Sequence, residues 1–156
     1  MPRRKYKRIE RRVSDPVYND PIIGATINRI LKRGKKSIAE RMMFDALEIV
    51  GKKTGKPPRD VFAMAIKNIS PAVQVKSRRV GGATYQVPIE IHSDRQQALA
   101  ISWLLDFARG RKGASFSTRL AEEIIDASEN RGGAIKKKLD THKMAEANKA
   151  FSHYRF

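Results

Sequence analysis

The chain has 156 residues, with 33 Lys or Arg against 16 Asp or Glu, for a net charge of +17. A length near 150 suits one domain with an ordinary core, and a cationic excess far above the roughly 2–8 charges that solubility asks for points to a polyanionic partner. The lack of cysteine excludes disulfides, thiol catalysis and cysteine-based zinc clusters; no apolar run approaches the ~20 residues of a membrane span, and the basic N-terminus has no apolar signal segment, so neither a membrane partner nor secretion is expected.

Residues 1–12 hold Arg3, Arg4, Lys5, Lys7, Arg8, Arg11 and Arg12 against Glu10 alone. So dense a charge with few apolar side chains predicts a flexible polyanion-binding arm, over residues 1–19. Asp20-Pro21 then reads as N-cap and first helical position. Ile23, Ile27, Ile30 and Leu31 carry the helical spacing, and Gly34 ends the element. Ser37 with Glu40 three residues on predicts a capping box for a second helix that runs to Gly55. Pro57-Pro58 opens a third, closed by Ser70-Pro71.

Residues 72–91 change character. Two runs flank Gly81-Gly82 and predict a β-hairpin with a two-residue primed turn. That turn sets the register: Val80 opposite Ala83, Arg78 opposite Tyr85, Lys76 opposite Val87. An isolated two-stranded ribbon is marginal, so the tip is expected to project and to gain order from a partner, with Tyr85 available to stack on a base or sugar. A fourth helix follows, with Ser93 and Gln96 as a second capping box, then a fifth near Ser117 and a last one after Gly132-Gly133 through Ile135 and Leu139 toward Phe151. The expected fold is mainly α: about six helices and a protruding hairpin at residues 72–91 within a helical domain of residues 20–156, plus the basic tail.

The cations cluster at element ends. Arg29, Lys32, Arg33, Lys35 and Lys36 surround the first helix–helix turn; Lys52, Lys53, Lys56 and Arg59 the second; Lys76, Arg78 and Arg79 approach the hairpin tip; Arg109, Arg111 and Lys112 follow the fourth helix; Arg131 and Lys136 to Lys138 start the last. One cluster alone would be an ordinary solvated loop. Five clusters and an arm make a phosphate-binding surface. The acids Glu122, Glu123, Asp126 and Glu129 load the fifth helix, which is expected to face away from a polyanion or toward a basic protein.

No catalytic constellation accompanies this surface. His92, His142 and His153 lack metal-ligand spacing, and GKKTGK at 51–56 is too short between its glycines to be a phosphate-binding loop. No enzyme activity, cofactor, metal or small-molecule substrate is expected. A basic β-arm on a helical body also fits an architectural DNA-binding protein, although such arms carry an apolar wedge where this tip has Gly81-Gly82.

Asp20, Ile22, Thr26-Ile27, Gly34-Lys35-Lys36, Met42-Met43 and Ala46 together resemble the signature of the small-subunit ribosomal protein seven family. SRRVGGATYQVPIEI (77–91) and THKMAEANKAFSHYRF (141–156) resemble its bacterial and organellar branch, with Leu139 and Phe156 as small departures. The resemblance covers the whole chain. It implies a ribosomal protein, cytoplasmic or organellar with its ribosome, that binds the 3′ major (head) domain of small-subunit rRNA and nucleates head assembly. It further implies a position near exit-site tRNA and the mRNA exit path, and contacts with small-subunit proteins eleven and nine. Carried onto this chain, the rRNA-binding positions are the arm residues Arg3 to Arg12, then Arg33, Lys35, Lys36, Lys76, Arg78, Arg79, Arg111, Lys136 and Lys137. The hairpin tip near tRNA and mRNA comprises Arg78, Arg79, Gly81, Gly82 and Tyr85.

Overall fold

The computed structural model describes residues 14–113 and 115–154. Within them the chain is mainly helical with a two-stranded antiparallel hairpin, in the predicted order: α1 (Pro21–Ile30), α2 (Lys36–Thr54), α3 (Pro58–Ile69), β1 (Val73–Val80), β2 (Ala83–Glu90), α4 (Ser93–Gly110), α5 (Phe116–Ser128), α6 (Gly133–Ala147) and a terminal 3₁₀ helix (Lys149–Tyr154).

Asp20 caps α1 by accepting the Ile22 N–H at 2.8 Å, and its other oxygen takes Arg59 Nε of α3 at 3.1 Å. Asp15, also buried, accepts the amides of Val17, Tyr18 and Asp20 and so fixes the chain entering the helix. Both predicted capping boxes are absent. Arg33 and Gly34 take left-handed backbone (φ 53° and 74°), so α2 starts at Lys36 with Lys35 at its N-cap, and Ser37 lies inside the first turn. Ser93 is likewise already helical, and Gln96 Nε2 donates to the Ile91 carbonyl instead of closing a box. On α5 the cap is Ser115, whose hydroxyl accepts the Thr118 N–H at 3.1 Å, two residues before the expected start.

One apolar cluster joins the helices. Ile23, Ile27, Leu47, Phe62, Ile69, Leu104, Leu120 and Ile124 are among its largest buried members. Helix α5 packs against α2, α3 and α4, which makes it the central helix. Leu139 is exposed on the outer side of α6, where Ala134, Ile135, Thr141 and Ala145 supply the buried positions.

α6 approaches α4 closely at its first residue. A β-carbon on Gly133 would overlap the Phe107 ring, with Cγ and Cε1 at 2.9 Å. Gly133→Ala is therefore expected to cost about 1–3 kcal/mol by overpacking, read as a lower urea midpoint. An unchanged midpoint would mean that the Phe107 ring swings aside freely.

The hairpin has the register set by its turn: Val80 pairs with Ala83, Arg78 with Tyr85 and Lys76 with Val87. Gly81 and Gly82 lie at φ 56° and 89°, the positive values a primed two-residue turn requires. The hairpin is not free-standing, however. β1 packs on α6, and β2 on the 3₁₀ helix. The face that carries Val87, fully buried, also turns Tyr85 toward the C-terminal segment.

Candidate nucleic-acid interface

The predicted site residues fall into four groups. Arg3, Arg4, Lys5, Lys7, Arg8, Arg11 and Arg12 lie outside the described residues. Arg33, Lys35 and Lys36 are exposed on the α1–α2 turn, which the paired left-handed residues Arg33 and Gly34 hold in a tight reversal. Lys36 reaches Glu40 one turn along at 3.5 Å. Lys76, Arg78 and Arg79 are exposed on β1, and Gly81 and Gly82 are exposed at the tip. Lys136 and Lys137 are exposed near the start of α6.

Arg111 stands apart. Its Nε donates to Glu123 at 2.6 Å, an Nη2 hydrogen bond goes to Asp126, and Glu122 lies at 3.8 Å. Burial works against its charge, yet the hydrogen bonds it donates to Asp126 and Glu123, with their negative charge, outweigh this and raise its pKa. The residue holds the α4–α5 connection onto the central helix, and is turned inward to carboxylates rather than outward to phosphates. The same arrangement corrects the expectation for α5. Its acids do not form an outward acidic face: Glu123 is 1% exposed and also accepts the Ala134 N–H at 3.0 Å, so it serves both ends of the core.

The α2–α3 cluster is largely engaged within the chain as well. Lys52 pairs with Glu48 at 2.6 Å, Lys53 with Glu122 at 3.8 Å and Arg59 with Asp20 at 3.1 Å. The Lys52 hydrogen bond and charge hold Glu48 below the ordinary carboxylate range. Among the described residues Lys32, Arg33, Lys35, Lys76, Arg79, Lys136 and Lys137 form no ion pair. Pairing thus separates the cations that meet a carboxylate of the chain, of which only Arg111 is turned inward, from those that meet none.

Tyr85 is not available to a base in the way expected. Its ring stacks on Tyr154 (5.1 Å between centroids) and tilts against Phe151 (5.2 Å). These rings close over β2 because the register puts Tyr85 and Val87 on the face that meets the C-terminal segment. A second support lies at the hairpin base. Lys138 Nζ donates to the Asn68 carbonyl at 2.6 Å, and His142, one turn further along α6, accepts the Ala72 N–H at Nε2 (3.1 Å). Sequence reasoning missed both, though the four-residue spacing of Lys138 and His142 on one helix face was visible.

Burial and the neighbouring Lys138 charge lower the pKa of His142 below its ordinary 6.5. A folded-state pKa below the unfolded value means that the unfolded chain binds the proton more readily. This contribution to stability is complete above about pH 6.5 and declines as the pH falls through that value. The melting temperature of the chain is expected to fall between about pH 7 and pH 5, and that of His142→Gln, which keeps an acceptor without the titration, to fall less. Parallel pH profiles for the two chains would refute this role.

Among the described residues no group of three His, Asp or Glu side chains is placed to hold a metal ion, and no helix is long and apolar enough to cross a membrane. The family profile of ribosomal protein S7p/S5e matches residues 2–149. The chain is 53% identical over 158 residues to the small ribosomal subunit protein uS7 of Moorella thermoacetica, covering 100% of both chains. It is 56% identical over 142 residues to the protein of that name from Acetivibrio thermocellus, and 54% identical over 142 residues to that from Gloeothece citriformis, covering 91% of each chain in both cases.

Proposed function

Because the chain belongs to the ribosomal protein S7p/S5e family, and so is a structural, non-catalytic protein of the small ribosomal subunit, we propose that it binds the 3′ major domain of small-subunit rRNA directly and nucleates assembly of the subunit head. In this reading the hairpin lies beside exit-site tRNA and the mRNA exit path, and small-subunit proteins eleven and nine are neighbours. Its place is the ribosome, in the cytoplasm or in an organelle.

The observation that supports it is the sorting of charge. Carboxylates hold Arg111 inward and also engage the exposed Lys52, Lys53 and Arg59, whereas among the described residues Lys32, Arg33, Lys35, Lys76, Arg79, Lys136 and Lys137 are exposed on the α1–α2 turn, the hairpin and the start of α6 and form no ion pair. Arg33, Lys35, Lys36, Lys76, Arg78, Arg79, Lys136 and Lys137 are the phosphate contacts, together with the arm residues Arg3 to Arg12. Arg111 is left out because it is already engaged. Such contacts bind by counterion release and recognise the shape of a folded RNA more than its base edges.

The test is a filter-binding titration of the full chain against a 3′ major domain RNA fragment over a KCl series, with duplex DNA alongside. Tight binding that weakens steeply with salt and prefers the rRNA fragment is expected. Equal or better binding to duplex DNA, or affinity that persists in molar KCl, would overturn the reading.

A further inference from the structure

The start of α2 and the two helix ends at the α4–α5 junction enclose a cleft of about 320 Å³. Ile38, Met42 and Phe116 form part of its floor, and Lys32, Lys35 and Arg119 part of its rim. Ile38 is 45% exposed and so presents apolar surface to solvent where it lines the cleft. Every charged residue that lines the cleft is a cation, Arg109 being the fourth.

The rim is built with care for position. Arg119 Nη1 donates to the carbonyls of Arg109 at 3.1 Å and Arg111 at 3.0 Å, which fixes its guanidinium over the end of α4. Among the described residues Lys32, Lys35 and Arg119 meet no carboxylate, and Arg109 has only a distant partner in Asp106 at 3.8 Å. An occupant must therefore combine a small apolar body with negative charge close on either side. A nucleobase between two phosphates has that character, and an aromatic floor with a planar guanidinium at the edge suits its flat face. The volume is at the small end for ligand sites, which fits one base and no duplex.

We infer that this cleft receives a single unstacked base of the bound RNA, seated against Ile38, Met42 and Phe116, with the flanking phosphates on Lys32, Lys35 and Arg119. The inference rests on the rRNA-binding reading above and adds to it a non-ionic contact. The two kinds of contact leave different signatures. Loss of a phosphate contact lowers the salt slope by about one, whereas loss of base stacking lowers affinity at every salt concentration and leaves the slope alone.

The experiment measures KCl-dependent binding of the 3′ major domain RNA to the full chain and to Phe116→Ala, Ile38→Ser and Lys35→Ala. Phe116→Ala is expected to bind about 5- to 100-fold more weakly with an unchanged slope. Ile38→Ser, at an exposed position that puts folding at little risk, should show a smaller loss of the same kind. Lys35→Ala should lower the slope. Floor variants that bind RNA like the parent overturn the inference while the parent's own binding upholds the rRNA reading. An intact RNA affinity with impaired capture of an acidic peptide would also overturn it, in favour of a protein occupant. Failure of the parent chain to bind the RNA would overturn both.

Discussion

Arg111→Ala is expected to destabilise the folded chain by about 3–5 kcal/mol, the range for leaving a buried charge without its partner. For a chain of this length that is a fall in melting temperature of roughly 6–20 °C. The size follows from Glu123, which is almost wholly buried and whose partners are the Arg111 guanidinium and the Ala134 amide. Arg111 is also the common partner of Asp126 and Glu122, so its removal leaves three acids together on the central helix. Lysine carries all its donors on one nitrogen and cannot reproduce the spacing of Nε and Nη2 that meets Glu123 and Asp126, so Arg111→Lys should fall between parent and alanine variant. The double variant Arg111→Met/Glu123→Leu should recover part of the loss, since it removes the buried charge along with its partner. Urea denaturation of the set decides the matter. A deficit below about 1 kcal/mol in Arg111→Ala, the range of an exposed pair, would show that the cluster is superficial.

Lys76→Ala/Arg78→Ala/Arg79→Ala is expected to lower the salt slope for the 3′ major domain RNA by about three. At 0.1 M salt this corresponds to a loss of roughly 10²- to 10³-fold in affinity. All three residues are exposed on β1, and the contacts that support the hairpin come from Tyr85, Phe151, Tyr154, Lys138 and His142. The melting temperature of the Lys76→Ala/Arg79→Ala variant, which leaves Arg78 in place, should therefore stay near that of the parent. Lys52→Ala/Lys53→Ala is the contrast. These residues already face Glu48 and Glu122, so their removal should change the slope by less than one. If the two variants altered RNA binding alike, overall charge rather than placement would govern the interaction, and the hairpin would have no special role.

The hairpin shows what is readable from local chemistry. Two glycines in succession permit the positive φ pair of a primed turn, and once the turn is set every cross-strand pair follows, as Arg78 with Tyr85 does. Helix positions were readable for the same reason, because Ile23, Ile27 and Ile30 recur with the helical period and become the buried stripe of α1. Capping was less readable. Ser37 and Ser93 had the right spacing to Glu40 and Gln96, but the preceding turns bring the backbone into helical geometry two residues early in α2 and one residue early in α4. The engagement of the cations was not readable at all. Arg111 and Glu123 are twelve residues apart, and Lys138 and Asn68 seventy. Tertiary packing brings such pairs together, and a count of charges along the chain treats an inward arginine and an outward one alike.

The ring contacts also impose an order on folding. Tyr85 is separated from Phe151 and Tyr154 by the whole of α4, α5 and α6. β1 can pair with β2 early, since their turn is local, but the ribbon is braced only once the intervening helices have carried the distant rings back to it. The hairpin thus gains its stiffness last, as a consequence of the body's having already packed.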